Sequence, residues 1–407
     1  MRLGATPCLL SANRIGRRAF VGTAAAALAF PGIARAVADK VRIGCITTLS
    51  TPAGYIGEDT RDALLLAINQ GNGTLGGVPV ELVVADDSLK PAQAKQVADR
   101  MMQSGTQILT GIVFSNLLEA VVPGIVAKDG FYISSNAAPA TLAGAGCKPN
   151  YFSATNQNDL GSGACGLAAN ELGYKRMVVC APNYQGGKDS IAGFKRTYKG
   201  EIIGEVFTRL DQTDFSVELG QIREFAPDAI YQFHPGGLGI NFVKQYGGAG
   251  LNKTIPMMLG AYAMDARMLT ATGNFAQDMM MSAAWSPLLD VPANKKFVAD
   301  FRKAYGRIPT VYAAQAYDVA LLIAYALKEA GSDLPKNNDK FRDALRHARI
   351  DSLRGNFGFT NNQNAMADFW LMKIEPTDDG TLMPKVLKKV VGMIPDPYAS
   401  ACPLPPV

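Results

Sequence analysis

The sequence predicts an α/β protein made of two successive doubly wound halves, followed by a helical block and a group of late strands. Three observations carry this. Short Val- and Ile-rich runs alternate with stretches whose apolar residues fall at helical spacing. The rhythm restarts once, after Asn150. The repeated β-α-β order argues for parallel sheets covered on both faces.

Val41–Thr48 reads as a short buried strand. Ile56–Asn69 is a helix with Ala63, Leu64, Ala67 and Ile68 at helical spacing. Gly76-Gly77 precede the strand Val78–Ala85. Pro91 opens a helix to Ser104, at the first turn, where a missing N–H costs little. Gln107–Phe114 (strand), Leu117–Lys128 (helix) and Phe131–Ser135 (strand) complete the first half. The second half has strands at Arg176–Ala181, Ile202–Thr208, Ala229–Phe233, Ile255–Leu259 and Asp278–Ala284. Its helices are Leu160–Leu172, Lys188–Tyr198, Asp214–Glu224 and Ile240–Tyr246. The helical block holds Asn294–Tyr305, Ala313–Ala330 and Lys340–His347. Late strands are Phe357–Phe359, Asp368–Ile374 and Pro384–Val391, and a Pro-rich tail from Pro395 is expected to lie extended on the surface. Two open sheets facing each other put the C-terminal ends of their strands at a shared cleft, where ligands bind.

At 407 residues the chain is long enough for a large core, and 48% hydrophobic against 18% charged residues argues against disorder. Only one apolar stretch without central charges approaches membrane length, and it is N-terminal. Arg17-Arg18-Ala19-Phe20-Val21, the apolar run Gly22–Ile33 and Ala34-Arg35-Ala36 follow one another as the three parts of an export signal. The paired Arg before an apolar Phe is similar to the twin-arginine motif. Cleavage after Ala36 is expected, with no lipid anchor, because no Cys stands at that site and Cys8 lies upstream. The mature chain then carries 35 basic and 35 acidic residues, so nothing in its overall charge favours nucleic acid or an anionic membrane.

Five Cys remain, in a compartment that permits disulfides. Cys45 and Cys180 lie in strand-like runs and read as core; any two of Cys147, Cys165 and Cys402 can supply one bridge. Catalytic signatures are missing. Gly71–Gly76 matches G-x-G-x-x-G but follows a helix and precedes a strand, so it reads as a turn. Asp86-Asp87 closes a strand before a helix, a place for cap chemistry. The mature chain has only His234 and His347. His347 sits among arginines on a helix, whereas His234 stands at a strand end in the cleft, either as a ligand contact or as a hydrogen-bonded loop residue. No catalytic residue, cofactor or metal site is assigned, and an enzyme is not expected.

In chain order, Val41–Gly57, Gly111–Ser115 with Ala120 and Pro123, Ile133–Pro139, Ala181–Gly187, Asp228–Gly237 and Ala314–Asp318 resemble the periplasmic solute-binding proteins of the branched-chain amino acid (Leu/Ile/Val-binding) class of ABC importers. The resemblance implies the type I fold: two doubly wound Rossmann-like lobes joined by three crossings. The crossings would fall near 153–156, 283–286 and 359–367, giving lobes of 39–154 plus 285–360 and of 155–284 plus 361–394. It also implies a periplasmic location, a membrane permease as partner and a small-molecule carboxylate as ligand. Ser115, with Asn116 beside it, and the backbone at Ser135-Asn136-Ala137 match the carboxylate-binding positions. Tyr55, Tyr184 and Tyr317 match ligand-facing aromatics. Tyr262 stands where amino-acid binders place an acidic partner for the ammonium; Asp265 is the nearest carboxylate, and Trp285 adds a further aromatic. That departure resembles the branch of the family that takes up benzoate-like acids. The alternatives are a branched-chain or related amino acid in the same transport role, and a ligand sensor that signals to a receptor or regulator.

Overall fold

The computed structural model describes residues 40–334 and 336–406; the twin-arginine segment and the cleavage site lie outside them. The first half runs β1 (Val41–Thr47), α1 (Gly54–Gln70), β2 (Thr74–Leu75), β3 (Val78–Asp86), α2 (Pro91–Gln103), β4 (Ile108–Thr110), α3 (Ser115–Val126), β5 (Phe131–Ser134) and β6 (Tyr151–Ser153). The second runs α4 (Asn158–Glu171), β7 (Arg176–Pro182), α5 (Gln185–Thr197), β8 (Glu201–Thr208), α6 (Ser216–Phe225), β9 (Ala229–Gln232), α7 (Gly236–Gly248), β10 (Met257–Leu259), α8 (Ala266–Thr272) and β11 (Met280–Ala283). Helices α9 (Pro292–Tyr305), α10 (Val311–Ala330) and α11 (Asn338–Arg346) follow, then β12 (Gly358–Phe359), β13 (Ala365–Met366), β14 (Phe369–Pro376) and β15 (Leu382–Val391).

Two sheets result, ordered β2-β3-β1-β4-β5-β6 and β15-β14-β11-β10-β9-β7-β8, with β12 and β13 as a separate pair. Within them β3-β1-β4-β5-β6 and β8-β7-β9-β10-β11 are parallel and wound in the same order. β14 and β15 add antiparallel strands to the second sheet. Each winding reverses where the third strand joins the other side of the first, between β1 and β4 and between β7 and β9. Ligand crevices of open α/β sheets form at such points. Helix α10 packs on α1, so the helical block belongs with the first sheet. The chain therefore passes between the sheets three times: after β6, after β11 and before β14. The last passage is tied to the first, because Ser153 pairs with Asn364 and Gln363 Nε2 donates to the Tyr151 carbonyl at 2.7 Å.

Some expectations need correction. The strand expected over Gln107–Phe114 ends at Thr110. Gly111 turns the chain there with φ 101°, and a Cβ would stand 2.8 Å from the Ile46 carbonyl oxygen. The freed residues become the loop that delivers Ser115. Helix α8, unanticipated from periodicity, is nucleated by Asp265, which accepts from the N–H groups of Arg267 and Met268. The Pro-rich tail lies at the surface, but with a turn at Ala399–Ala401 instead of fully extended, and it is tied to the body. Cys402 is bonded to Cys147, Asp396 accepts from Asn362 Nδ2 at 2.9 Å, and Tyr398 Oη donates to Asp159 Oδ2 at 2.8 Å. Cys45, Cys165 and Cys180 are buried free thiols. Burial raises the Cys45 and Cys165 thiols to about 12, which keeps them protonated and inert.

Candidate ligand site between the two sheets

A small cavity of about 20 Å³ lies where the two switch points face each other. Five aromatic rings line it: Phe114, Tyr184, Phe233, Tyr262 and Tyr312. Its polar lining comes from Ser115, Asn136 and Asn158. No charged side chain is part of that lining.

The polar end begins at α3. Ser115 is its first residue, and the first N–H groups of a helix have no partner within it, so they and the helix dipole attract an anion. The Ser115 Oγ accepts from Asn158 Nδ2 at 3.0 Å, which leaves the hydroxyl proton free to donate to a ligand oxygen. Asn158 is fixed in turn: Nδ2 also donates to Asp189 Oδ2 at 2.9 Å, and Oδ1 accepts from the Ala138 N–H at 3.0 Å. Asn136 Nδ2 donates to Gln315 Oε1 at 2.8 Å. Gln315 Nε2 donates to Thr155 Oγ1 at 2.7 Å and to Tyr262 Oη at 3.0 Å, and those two hydroxyls are 2.8 Å apart. This network is buried, as its groups require when their partners are all supplied.

The aromatic wall is set by strand ends. Tyr184 follows β7 in extended conformation, and its ring lies over the start of α5. A Cβ on Gly186 would stand 2.8 Å from that ring and would push it aside. Phe114 faces Tyr184 with centroids 6.1 Å apart, and Tyr262 faces Tyr312 at 6.2 Å. Burial pushes the Tyr184, Tyr262 and Tyr312 hydroxyls up, so each is neutral.

Two buried carboxylates behind the lining are held by other groups. Asp265 caps α8 and accepts from Tyr55 Oη at 2.8 Å; burial raises its carboxyl to about 6. Asp189 lies behind Asn158 and is also held by Gln185 Nε2 and the Ala140 N–H, with its pKa raised by burial.

Of the positions expected from sequence, Ser115, Asn136, Tyr184 and Tyr262 come together around the cavity. Ser135 and Ala137 flank Asn136 as buried residues, and Asn116 follows Ser115 with a buried, unpartnered Oδ1. Four residues do not face the cavity. Tyr55 turns its ring to Arg267, whose guanidinium lies 4.9 Å away, and its hydroxyl to Asp265. His234 is fully buried in the second half, between Gln232 Oε1 at 2.8 Å and Thr208 Oγ1 at 3.0 Å, and stacks on Phe242 at 4.5 Å. The extended backbone alternates, so Phe233 and Pro235 reach the cavity and His234 points away. Burial lowers its imidazole to about 3, so it is neutral. Trp285 donates Nε1 to Asn294 Oδ1 at 2.7 Å and packs in the second passage. Tyr317 packs on Phe297 and donates to Gln70 Oε1 at 2.6 Å.

The residues not anticipated are Phe114, Asn158, Phe233 and Tyr312, with Thr155 and Gln315, which hydrogen-bond to each other and to Tyr262. Helical geometry held the signal for two of them. Tyr317 is two residues past Gln315 and so turned about 200° around α10, whereas Tyr312 is three residues before it and shares its face.

Comparison with known proteins agrees with this architecture. The sequence pattern of the periplasmic binding protein family matches residues 40–381. Leu/Ile/Val-binding protein homolog 6 of Brucella melitensis is 25% identical over 367 residues, covering 87% of this chain and 92% of that protein. The leucine-, isoleucine-, valine-, threonine- and alanine-binding protein of Pseudomonas aeruginosa is 26% identical over 345 residues, covering 82% and 90%. A solute-binding protein of an ABC transporter from R. palustris, solved in complex with benzoate, superimposes with a TM-score of 0.85 at 26% identity, covering 90% of this chain and 100% of that one. The chain belongs to the periplasmic binding protein family and is a solute-binding protein of an ABC transporter, with the type I fold.

Proposed function

We propose that this protein captures a small aromatic carboxylate of the benzoate type and delivers it to a membrane permease. One observation carries the reading: five aromatic rings surround a cavity that has a helix N-terminus at its polar end and no carboxylate in its lining. An amino acid would have to bury its ammonium there without a counter-charge. That costs several kcal/mol, more than an apolar side chain returns. An aromatic acid brings only a negative charge, which Ser115 and the first turn of α3 accommodate. The benzoate held by the R. palustris protein supports the same chemistry.

In this reading the lobes are 39–154 plus 285–360 and 155–284 plus 361–394, and they close on the ligand as a hinge. The mature chain starts at Val37 after export to the periplasm. Isothermal calorimetry on the mature protein decides between ligands. Benzoate and hydroxybenzoates should bind in the micromolar range or tighter, and leucine, isoleucine and valine should not. Micromolar leucine binding would overturn the proposal and favour the branched-chain reading that the names of the curated relatives suggest.

A further inference from the structure

Tyr55 leaves the cavity wall for a different task. Helix α1 packs with the first sheet and α8 with α7 and β15 of the second. Between them runs a set of polar contacts. Tyr55 Oη donates to Asp265 Oδ2 at 2.8 Å. Arg267 Nη1 donates to Glu58 Oε2 at 3.0 Å, and more weakly to Asp59 Oδ1 and the Tyr55 carbonyl, each at 3.4 Å. The Arg267 guanidinium also covers the Tyr55 ring. None of these residues lines the cavity.

The two sides are each anchored in their own half. Asp59 is held by Arg307 Nε at 2.9 Å and the Thr310 N–H at 3.2 Å, both from the helical block of the first half. Asp265 is held as the cap of α8. If the halves separate, those anchors stay and the contacts between α1 and α8 are lost, together with the pairs that cross the cavity, Asn158–Ser115 and Gln315–Tyr262. Contacts made in one state and not in the other are what shift an equilibrium between states.

We infer that Tyr55, Glu58, Asp265 and Arg267 form a latch that favours the closed clamp in the absence of ligand, and that these positioning residues set ligand affinity without touching the ligand. A clamp that is partly closed before binding escapes part of the penalty that a rarely populated competent state imposes on affinity. Half-exposed ion pairs such as Arg267–Glu58 are weak and screened, so the Tyr55–Asp265 hydrogen bond carries the larger share. The inference rests on the two-lobed clamp described above, not on the identity of the ligand.

The test compares the mature protein with the Tyr55→Phe/Arg267→Ala double variant. Small-angle scattering without ligand should show a larger radius of gyration for the variant. With benzoate as probe, its dissociation rate should rise about fivefold to tenfold, with the association rate little changed. If the double variant does not fold, Tyr55→Phe and Arg267→Lys are measured singly, since each keeps the bulk of its side chain. An unchanged ligand-free radius of gyration in folded variants would overturn the latch. Failure of benzoate to bind the unaltered protein would count against the proposed ligand only, because the scattering comparison contains no ligand.

Discussion

The two halves have the same winding and unlike chemistry. In each, a parallel core of five strands reverses at the first strand, and the loops after the first and third strands meet the cleft. In the first half the loop after the third strand ends in Phe114 and then Ser115 at the start of a helix, with Asn136 one strand further on: one ring beside polar groups suited to an oxyanion. In the second half those loops end in Tyr184, Phe233 and, after the fourth strand, Tyr262: rings, with no charge among them. Topology decides where a ligand sits, and the few side chains carried past the strand ends decide what it is.

Breaking the difference between the halves should have the largest effect. Tyr262→Glu places an acid on the uncharged side, facing the ligand's own carboxylate across a small cavity. Benzoate binding by calorimetry should fall more than a hundredfold, because a buried like-charge contact costs several kcal/mol. Removing the donor from the first half comes next. Ser115→Ala loses a hydrogen bond to a charged group, and the affinity for any acid should drop about tenfold to a hundredfold. Thinning the aromatic wall is milder. Tyr184→Leu keeps an apolar side chain and loses ring contacts worth about 0.5–1.5 kcal/mol, so benzoate should bind roughly twofold to tenfold more weakly.

The smallest effect on binding should come from His234→Gln, because the imidazole lies inside the second half and away from the cavity. Its signature should be in stability against pH. With the folded pKa lowered to about 3 by burial, the unfolded chain takes up a proton between its ordinary value and that point, and the native state does not. The neutral ring therefore contributes stability above its unfolded pKa, and that contribution is lost as pH falls. Thermal melts at descending pH should fall less steeply for His234→Gln. Asp265 and Asp396, both raised to about 6, work in the opposite sense, since they favour the fold while protonated and lose that stability as pH rises through 6.

The order of strands and helices was legible because each element has its own period in the sequence. Val41–Thr47, Arg176–Pro182 and the long α10 all fall where apolar patterning puts them. Strand ends were less legible. Gly111 stops β4 because of the Ile46 carbonyl oxygen, a neighbour from another strand. Within the site, residues tied to the chain's local geometry could be placed, such as Ser115 at a helix start and Tyr184 before one. Those needing an orientation could not. His234 and Phe233 are adjacent in sequence and point to opposite sides, and Tyr317 and Gln315 differ by about half a turn of helix.

The sequence by itself determined the α/β class, the repeat of one winding and the cleft between two sheets, because these depend on periodicity and order, whereas the missing acid at Tyr262 was read from the family resemblance. Only the tertiary structure decided that Cys402 bonds Cys147 across 255 residues, that Tyr55 meets Asp265 instead of the cavity, and that Asn158 reaches Ser115 from the other half. Each of these joins groups far apart in the chain, and their meeting is fixed by how two independently wound sheets pack, which no local pattern encodes.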